Sequence, residues 1–121
     1  MSKVLIVDDD VLSTQMYATK LQSGGHEVIL SSDGEEALEK IKDTFDLILL
    51  DIMMPKIDGV ALLKEIKKGV NKQTVILIMT NLISEEVKKE CLENGATEFL
   101  LKADYNPLQL VEKIEQYLKK E

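Results

Sequence analysis

Five short apolar runs punctuate the chain: Val4-Leu5-Ile6-Val7, Val28-Ile29-Leu30, Leu47-Ile48-Leu49-Leu50, Val75-Ile76-Leu77-Ile78-Met79 and Phe99-Leu100-Leu101. Most are continuous instead of alternating with polar residues, as strands covered on both faces require. The second run is the least apolar and suits a sheet edge. Helical spacing fills the intervals. Leu12, Met16, Tyr17 and Leu21 share one predicted face, and Gly24-Gly25 ends that helix. Asp33-Gly34 turns into a second helix carrying Ala37, Leu38 and Ile41, and Leu62, Leu63 and Ile66 mark a third that closes near Gly69. Ser84 reads as an N-cap, with Glu85 and Glu86 where a helix start favours negative charge. That fourth helix shows Val87, Cys91 and Leu92 and stops at Asn94-Gly95. Asn106-Pro107 opens a fifth, an N-cap followed by proline at the first helical position, with Leu110, Val111, Ile114, Tyr117 and Leu118 as its inward stripe.

Strands alternating with helices imply right-handed crossovers and a parallel sheet with helices on both faces. Five such units predict an α/β, flavodoxin-like doubly wound (βα)5 fold with strand order 2-1-3-4-5. Residues 1–121 are expected to form one domain with no output domain.

In such a sheet ligands gather beyond the carboxyl ends of the strands, where strand order reverses. Here that point lies between the first and third strands, whose ends carry Asp8-Asp9-Asp10 and Asp51. Asp10 reads as a turn former or helix cap. Asp8, Asp9 and Asp51 are expected to converge, and anions that close must take up protons or bind a cation. Oxygen ligands without a nearby His or Cys favour Mg2+. A carboxylate can also attack phosphorus to give an aspartyl phosphate. Thr80 ends the fourth strand and Lys102 the fifth, offering a hydroxyl and a positive charge to phosphoryl oxygens.

Composition narrows the partners. The 121 residues carry a net charge of −7, with 45% hydrophobic and 31% charged residues. All 15 basic residues are lysine. The acidic balance and the lack of guanidinium forks argue against direct nucleic-acid binding and lean toward a monomer. The single cysteine, Cys91, can form neither an internal disulfide nor a zinc cage, and its helical context reads as a small buried apolar residue. No apolar run approaches the roughly 18–20 residues of a spanning helix, and there is no signal-peptide pattern, so a cytoplasmic location is expected.

Over essentially its whole length the chain resembles the receiver domains of two-component response regulators, of the stand-alone single-domain type. The resemblance rests on Val4-Leu5-Ile6-Val7-Asp8-Asp9, on Asp51-Ile52-Met53-Met54-Pro55-Lys56-Ile57-Asp58-Gly59, and on Thr80 and Lys102, 29 and 51 positions after Asp51. It implies that Asp51 is the phosphoacceptor, that Asp9 ligates Mg2+ directly, and that Asp8 helps directly or through water. The Met53 backbone carbonyl would be the remaining protein ligand. Thr80 and Lys102 would grip the phosphoryl group, and Phe99 would be the aromatic switch. Met54 and Ile57 read as packing residues, and Pro55 as shaping the loop. The implied donor is a sensor histidine kinase or a histidine phosphotransfer protein, with a downstream protein target. The implied chemistry is self-catalysed phosphorylation and dephosphorylation, with remodelling of the surface of helix 4, strand 5 and helix 5.

Two positions depart from the family pattern. Ala103 stands where proline usually follows the lysine, and a cis bond there would cost about 2.5–4 kcal/mol, so a trans bond or a rebuilt loop is expected. Asn81 stands where a small residue usually follows the threonine, and is expected to change the dephosphorylation rate. His26, in the Gly24-Gly25-His26-Glu27 connection, reads as a turn residue. Two other readings stay open: a phosphorylation-independent pseudo-receiver, and a haloacid-dehalogenase-like phosphatase using Asp8-Asp9-Asp10. The first strand is not followed by a glycine-rich phosphate loop, which disfavours a nucleotide or flavin domain.

Overall fold

The computed structural model describes residues 2–54, 57–81 and 83–119. The expectation for Pro55 lies outside these residues. The elements run β1 (Lys3–Val7), α1 (Val11–Ser23), β2 (Glu27–Ser31), α2 (Gly34–Lys40), β3 (Leu47–Leu50), α3 (Gly59–Lys68), β4 (Val75–Thr80), α4 (Glu85–Glu93), β5 (Glu98–Leu101), a 3-10 turn (Lys102–Asp104) and α5 (Pro107–Lys119). The strands are parallel in the order β2-β1-β3-β4-β5, so the sequence-derived topology holds, with the weakly apolar run at an edge.

Continuous apolar strands feed two cores because side chains alternate across the sheet. Leu5, Val7, Ile48, Leu50, Ile76 and Ile78 face α2, α3 and α4, meeting Ala37, Leu62, Leu63, Ile66 and Cys91. Val4, Ile6, Leu47, Leu49, Leu77, Met79 and Leu100 face α1 and α5, meeting Tyr17, Leu21, Leu110, Val111, Ile114 and Leu118. Each large side chain so buried contributes about 1.5–3 kcal/mol of transfer free energy.

Helix starts follow local chemistry. The side chains of Asp10, Asp33, Asp58 and Ser84 accept from the backbone N–H groups of Ser13, Glu36, Val60 and Val87. Asn106 accepts from Gln109 N at 2.8 Å while Gln109 accepts from Asn106 N at 3.0 Å, a reciprocal capping box.

On α1 the predicted face is half wrong. Tyr17 and Leu21 point inward, but Leu12 is 78% and Met16 48% exposed, and the stripe that packs is Thr14, Tyr17, Ala18 and Leu21. Thr14 tolerates burial because its hydroxyl donates to the Val11 carbonyl at 3.1 Å. On α4, Cys91 is buried while Leu92, about 100° further round the helix, is exposed.

Candidate functional site

Strand hydrogen bonding sets the backbone of two acids before their side chains are considered. Asp8 N donates to the Ser31 carbonyl at 3.0 Å, and Asp51 N donates to the Val7 carbonyl at 2.9 Å. The first bond extends the β1–β2 ladder by one residue and the second extends β1–β3. Both carboxylates therefore leave the same rim at the switch point. They are nearly buried, at 2% and 4% exposure, whereas Asp9 is exposed beside them.

Each buried carboxylate is held at both oxygens. Asp8 Oδ1 accepts from Asp10 N at 2.9 Å, and Asp51 Oδ1 accepts from Met53 N at 2.9 Å. Lys102 Nζ stands 2.9 Å from Asp8 Oδ2 and 2.9 Å from Asp51 Oδ2, forming ion pairs with both. Burial pushes the Asp8 carboxyl above its usual range, the Asp10 N–H and Lys102 pull it back, and the Asp51 charge pushes it up again. Burial works against the Lys102 charge, but the two carboxylates outweigh it and hold the ammonium above the usual lysine range.

Ala103 is joined to Lys102 without a cis bond, and the backbone enters the 3-10 turn Lys102–Asp104. The trans form of the expectation is met, and Lys102 reaches the acids without proline. Thr80 is fully buried at the end of β4, in register with Leu101. Asn81 is exposed just beyond it, and the Met53 side chain is also exposed. Phe99 is half-buried against the α2-α3-α4 core and lines a pocket of about 270 Å³ with Ile83, Ser84, Lys88 and Tyr105. His26 sits at the opposite rim, 3.7 Å from Glu115 and away from the acids. Cys91 is buried, and burial pushes its thiol up to about 11, helped by Glu90 and Asp58.

The loop after Asp51 is shaped by close approaches. A Cβ on Gly59 would lie 2.2 Å from the Ile52 Cα, and a Cβ on Gly34 would lie 1.2 Å from Ile57 Cγ2. Both contacts seat this loop against the starts of α3 and α2. Neither approach was anticipated, although the glycine after Asp58 stands in the motif.

Asp8, Asp9 and Asp51 each offer one oxygen, and these atoms lie within 4.8 Å of one another. An all-oxygen, anionic donor set fits a hard divalent cation. The double contact of Lys102 was not foreseen: the expected partner was a phosphoryl group, and here the ammonium neutralises part of the acid cluster.

Fold and rim together define a doubly wound α/β protein with a carboxylate–lysine cluster at its switch point. The chain belongs to the response regulator receiver domain family, whose model matches residues 4–115. It is 38% identical over 121 residues to the transcriptional regulatory protein CpxR homolog of Haemophilus influenzae, covering 99% of this chain and 52% of that protein. It thus spans about half the length of that relative. A receiver domain protein (CheY-like) from Methanospirillum hungatei superposes with a TM-score of 0.91 at 31% identity, covering 99% of this chain and 95% of the other. Chemotaxis response regulator CheY4 of Vibrio cholerae gives a TM-score of 0.86 at 39% identity, with 97% and 98% coverage. Among the described residues, no helix is long and apolar enough to cross a membrane.

Proposed function

We propose that Asp51 accepts a phosphoryl group from a histidine kinase or a histidine phosphotransfer protein, and that the domain changes its helix 4, strand 5 and helix 5 surface in response. The observation carrying this reading is the ammonium of Lys102 held 2.9 Å from both Asp8 and Asp51, with the Asp9 carboxylate in the same cluster. A carboxylate so placed is fixed in direction and flanked by positive charge.

A carboxylate oxygen of Asp51 attacks phosphorus, the bond from phosphorus to the donor imidazole nitrogen breaks, and the electron pair stays on that nitrogen. Hydrolysis later breaks the bond between phosphorus and the Asp51 oxygen, releasing inorganic phosphate and the free carboxylate. Asp8, Asp9, Asp51 and the Met53 carbonyl would hold Mg2+, which when bound supplies charge neutralisation for the transferring oxygens. Lys102 exchanges a carboxylate partner for a phosphoryl oxygen, keeping an ion pair throughout. Thr80 supplies a hydroxyl from the neighbouring strand end, and its displacement lets Phe99 repack against the core beneath α4. Asn81, exposed beside Thr80, modulates access of water to the phosphoryl group.

The competing readings lose support at particular residues. A phosphatase using Asp8 and Asp10 needs Asp10 free for proton transfer, but both its oxygens are engaged by Ser13 at the start of α1. A pseudo-receiver reading drew on Ala103 and Asn81, and its Ala103 half weakens because Lys102 reaches the acids regardless. Mass spectrometry after treatment with Mg2+ and acetyl phosphate tests the proposal. One added phosphate mapping to Asp51, absent in Asp51→Asn, is expected; an unmodified wild-type chain, or undiminished labelling of Asp51→Asn, would overturn it.

A further inference from the structure

Strand β5 is the outermost on its side of the sheet and pairs with β4 alone. Successive residues of a strand send their N–H and C=O groups to opposite sides, so half of the β5 backbone faces away from β4. The pocket of about 270 Å³ beside Phe99 is lined by every residue of this strand, Glu98 to Leu101. Side chains alternate between the two faces of a sheet, so a pocket on one face would meet only every second residue. Contact with the whole run, including Leu100 at 4% exposure, sets the pocket along the backbone edge itself.

The walls of this groove carry an acidic surplus. Glu98 is matched: its Oε1 stands 3.2 Å from Lys113 Nζ, and its Oε2 accepts from the Tyr117 hydroxyl. Glu85, at the start of α4, and Asp104, in the 3-10 turn, are exposed and make no hydrogen bond or ion pair with the described residues. Lys88, one turn further along α4, is also unpaired among the described residues and is the single cation of the lining. Beside these charges Ile83, 84% exposed, and half-buried Phe99 offer apolar surface.

We propose that the free edge of β5 binds an extended, cationic segment of a partner protein by strand addition. The segment's backbone pairs with the outward N–H and C=O groups of β5, a lysine or arginine on it answers Glu85 and Asp104, and an apolar side chain covers Ile83 and Phe99. A second copy of this chain would bring the same acidic surplus to the seam, so the occupant is a foreign segment. The groove lies on the surface proposed above to change on phosphorylation. Control of this binding by Asp51 rests on that reading, whereas strand addition itself does not.

The test is a titration of the unphosphorylated, ¹⁵N-labelled chain with a synthetic peptide of alternating valine and threonine that ends in a lysine pair. Backbone amide shifts should concentrate at Glu85 and from Glu98 to Asp104, and exchange of the outward β5 amides should slow. The variant combining Glu85→Gln and Asp104→Asn is expected to bind roughly fivefold more weakly, the effect of two exposed ion pairs. The fully N-methylated peptide should not bind, because it has no N–H to give to the β5 carbonyls. No shift at β5, shifts centred on the other edge strand β2, equal affinity of the double variant or undiminished binding of the N-methylated peptide would each overturn the inference. Dilution-dependent β5 shifts in the chain alone would assign the edge to a second copy and overturn the foreign segment. A chain that shows the peptide effects yet takes up no phosphate from acetyl phosphate would overturn the phosphoacceptor reading alone.

Discussion

The two rims of one sheet use polar residues in opposite ways. At the amino-terminal rim the polar groups are matched. Asn71 is fully buried, its Oδ1 accepting from Phe45 N at 2.8 Å and from Thr74 Oγ at 3.1 Å, while its amide donates to the carbonyls of Ile41 at 3.0 Å and Asp43 at 2.8 Å. The one Thr74 hydroxyl proton is shared between that Asn71 oxygen and the Phe45 carbonyl, 3.0 Å away, and Asp46 exchanges bonds with Lys3 at 2.7 and 2.8 Å. At the carboxyl-terminal rim three acids gather and one lysine pairs with two of them, so like charge is left over. The first rim ties loops together; the second stores unfavourable electrostatics that the Mg2+ proposed above would relieve. Stability and binding capacity thus sit at opposite ends of the same strands.

The largest effect that would sharpen this contrast is expected at Asn71. Asn71→Ala leaves the Phe45 N–H and the carbonyls of Ile41 and Asp43 buried without their partner. Unfolding in urea should show a loss of about 3–4 kcal/mol, with Mg2+ affinity of the folded chain unchanged. A loss under about 1 kcal/mol would mean that the hub does not organise this rim.

Lys102→Ala is expected to come next, costing about 2–3 kcal/mol without metal because Asp8 and Asp51 lose their counter-charge. Added Mg2+ should restore more stability to this variant than to wild type, since the acids no longer have an ammonium to satisfy them. Equal stabilisation of both proteins would show that the lysine and the cation do not answer the same charge.

Asp9→Asn reverses the sign. Removing one exposed charge from the cluster should raise metal-free stability by about 0.5–1 kcal/mol and weaken Mg2+ binding by about tenfold or more. A destabilised variant would contradict stored repulsion at this rim.

Near neutral pH the smallest effect lies away from both rims. Above about pH 9 the Cys91 thiol ionises in the unfolded chain but stays protonated when folded, because burial holds it up to about 11. The folded state then binds the extra proton, so stability falls as pH rises through that window. Melting curves across it should fall less steeply for Cys91→Ala, and identical slopes would remove the cysteine from the pH response.

Much of this was legible in sequence for physical reasons. Strands covered on both faces must be continuously apolar, so β3 could be read directly, while the strand order followed from the known topology of doubly wound folds with five alternating units. Acids immediately after such strands had only one rim to occupy. What escaped were features with no period. Asn71 is one polar residue in a loop, and its main partners lie 26 to 30 positions away. Leu12 and Met16 looked inward because apolarity was taken for burial, whereas a hydroxyl bonded to its own helix let Thr14 take the inner stripe. The acids and Lys102 could be placed on one rim from strand ends alone, but the ammonium bridging two of them depends on side-chain reach that spacing does not encode.

A Mg2+ titration followed by backbone amide NMR tests the unequal rims most directly. Shifts should saturate together at a single affinity and concentrate at Asp8, Asp9, Asp10, Asp51, Met53, Thr80 and Lys102, with Phe45, Asn71 and Thr74 unmoved. Shifts that fail to saturate, or that spread equally to the Asn71 rim, would contradict the assignment of the acid cluster as the cation-dependent site.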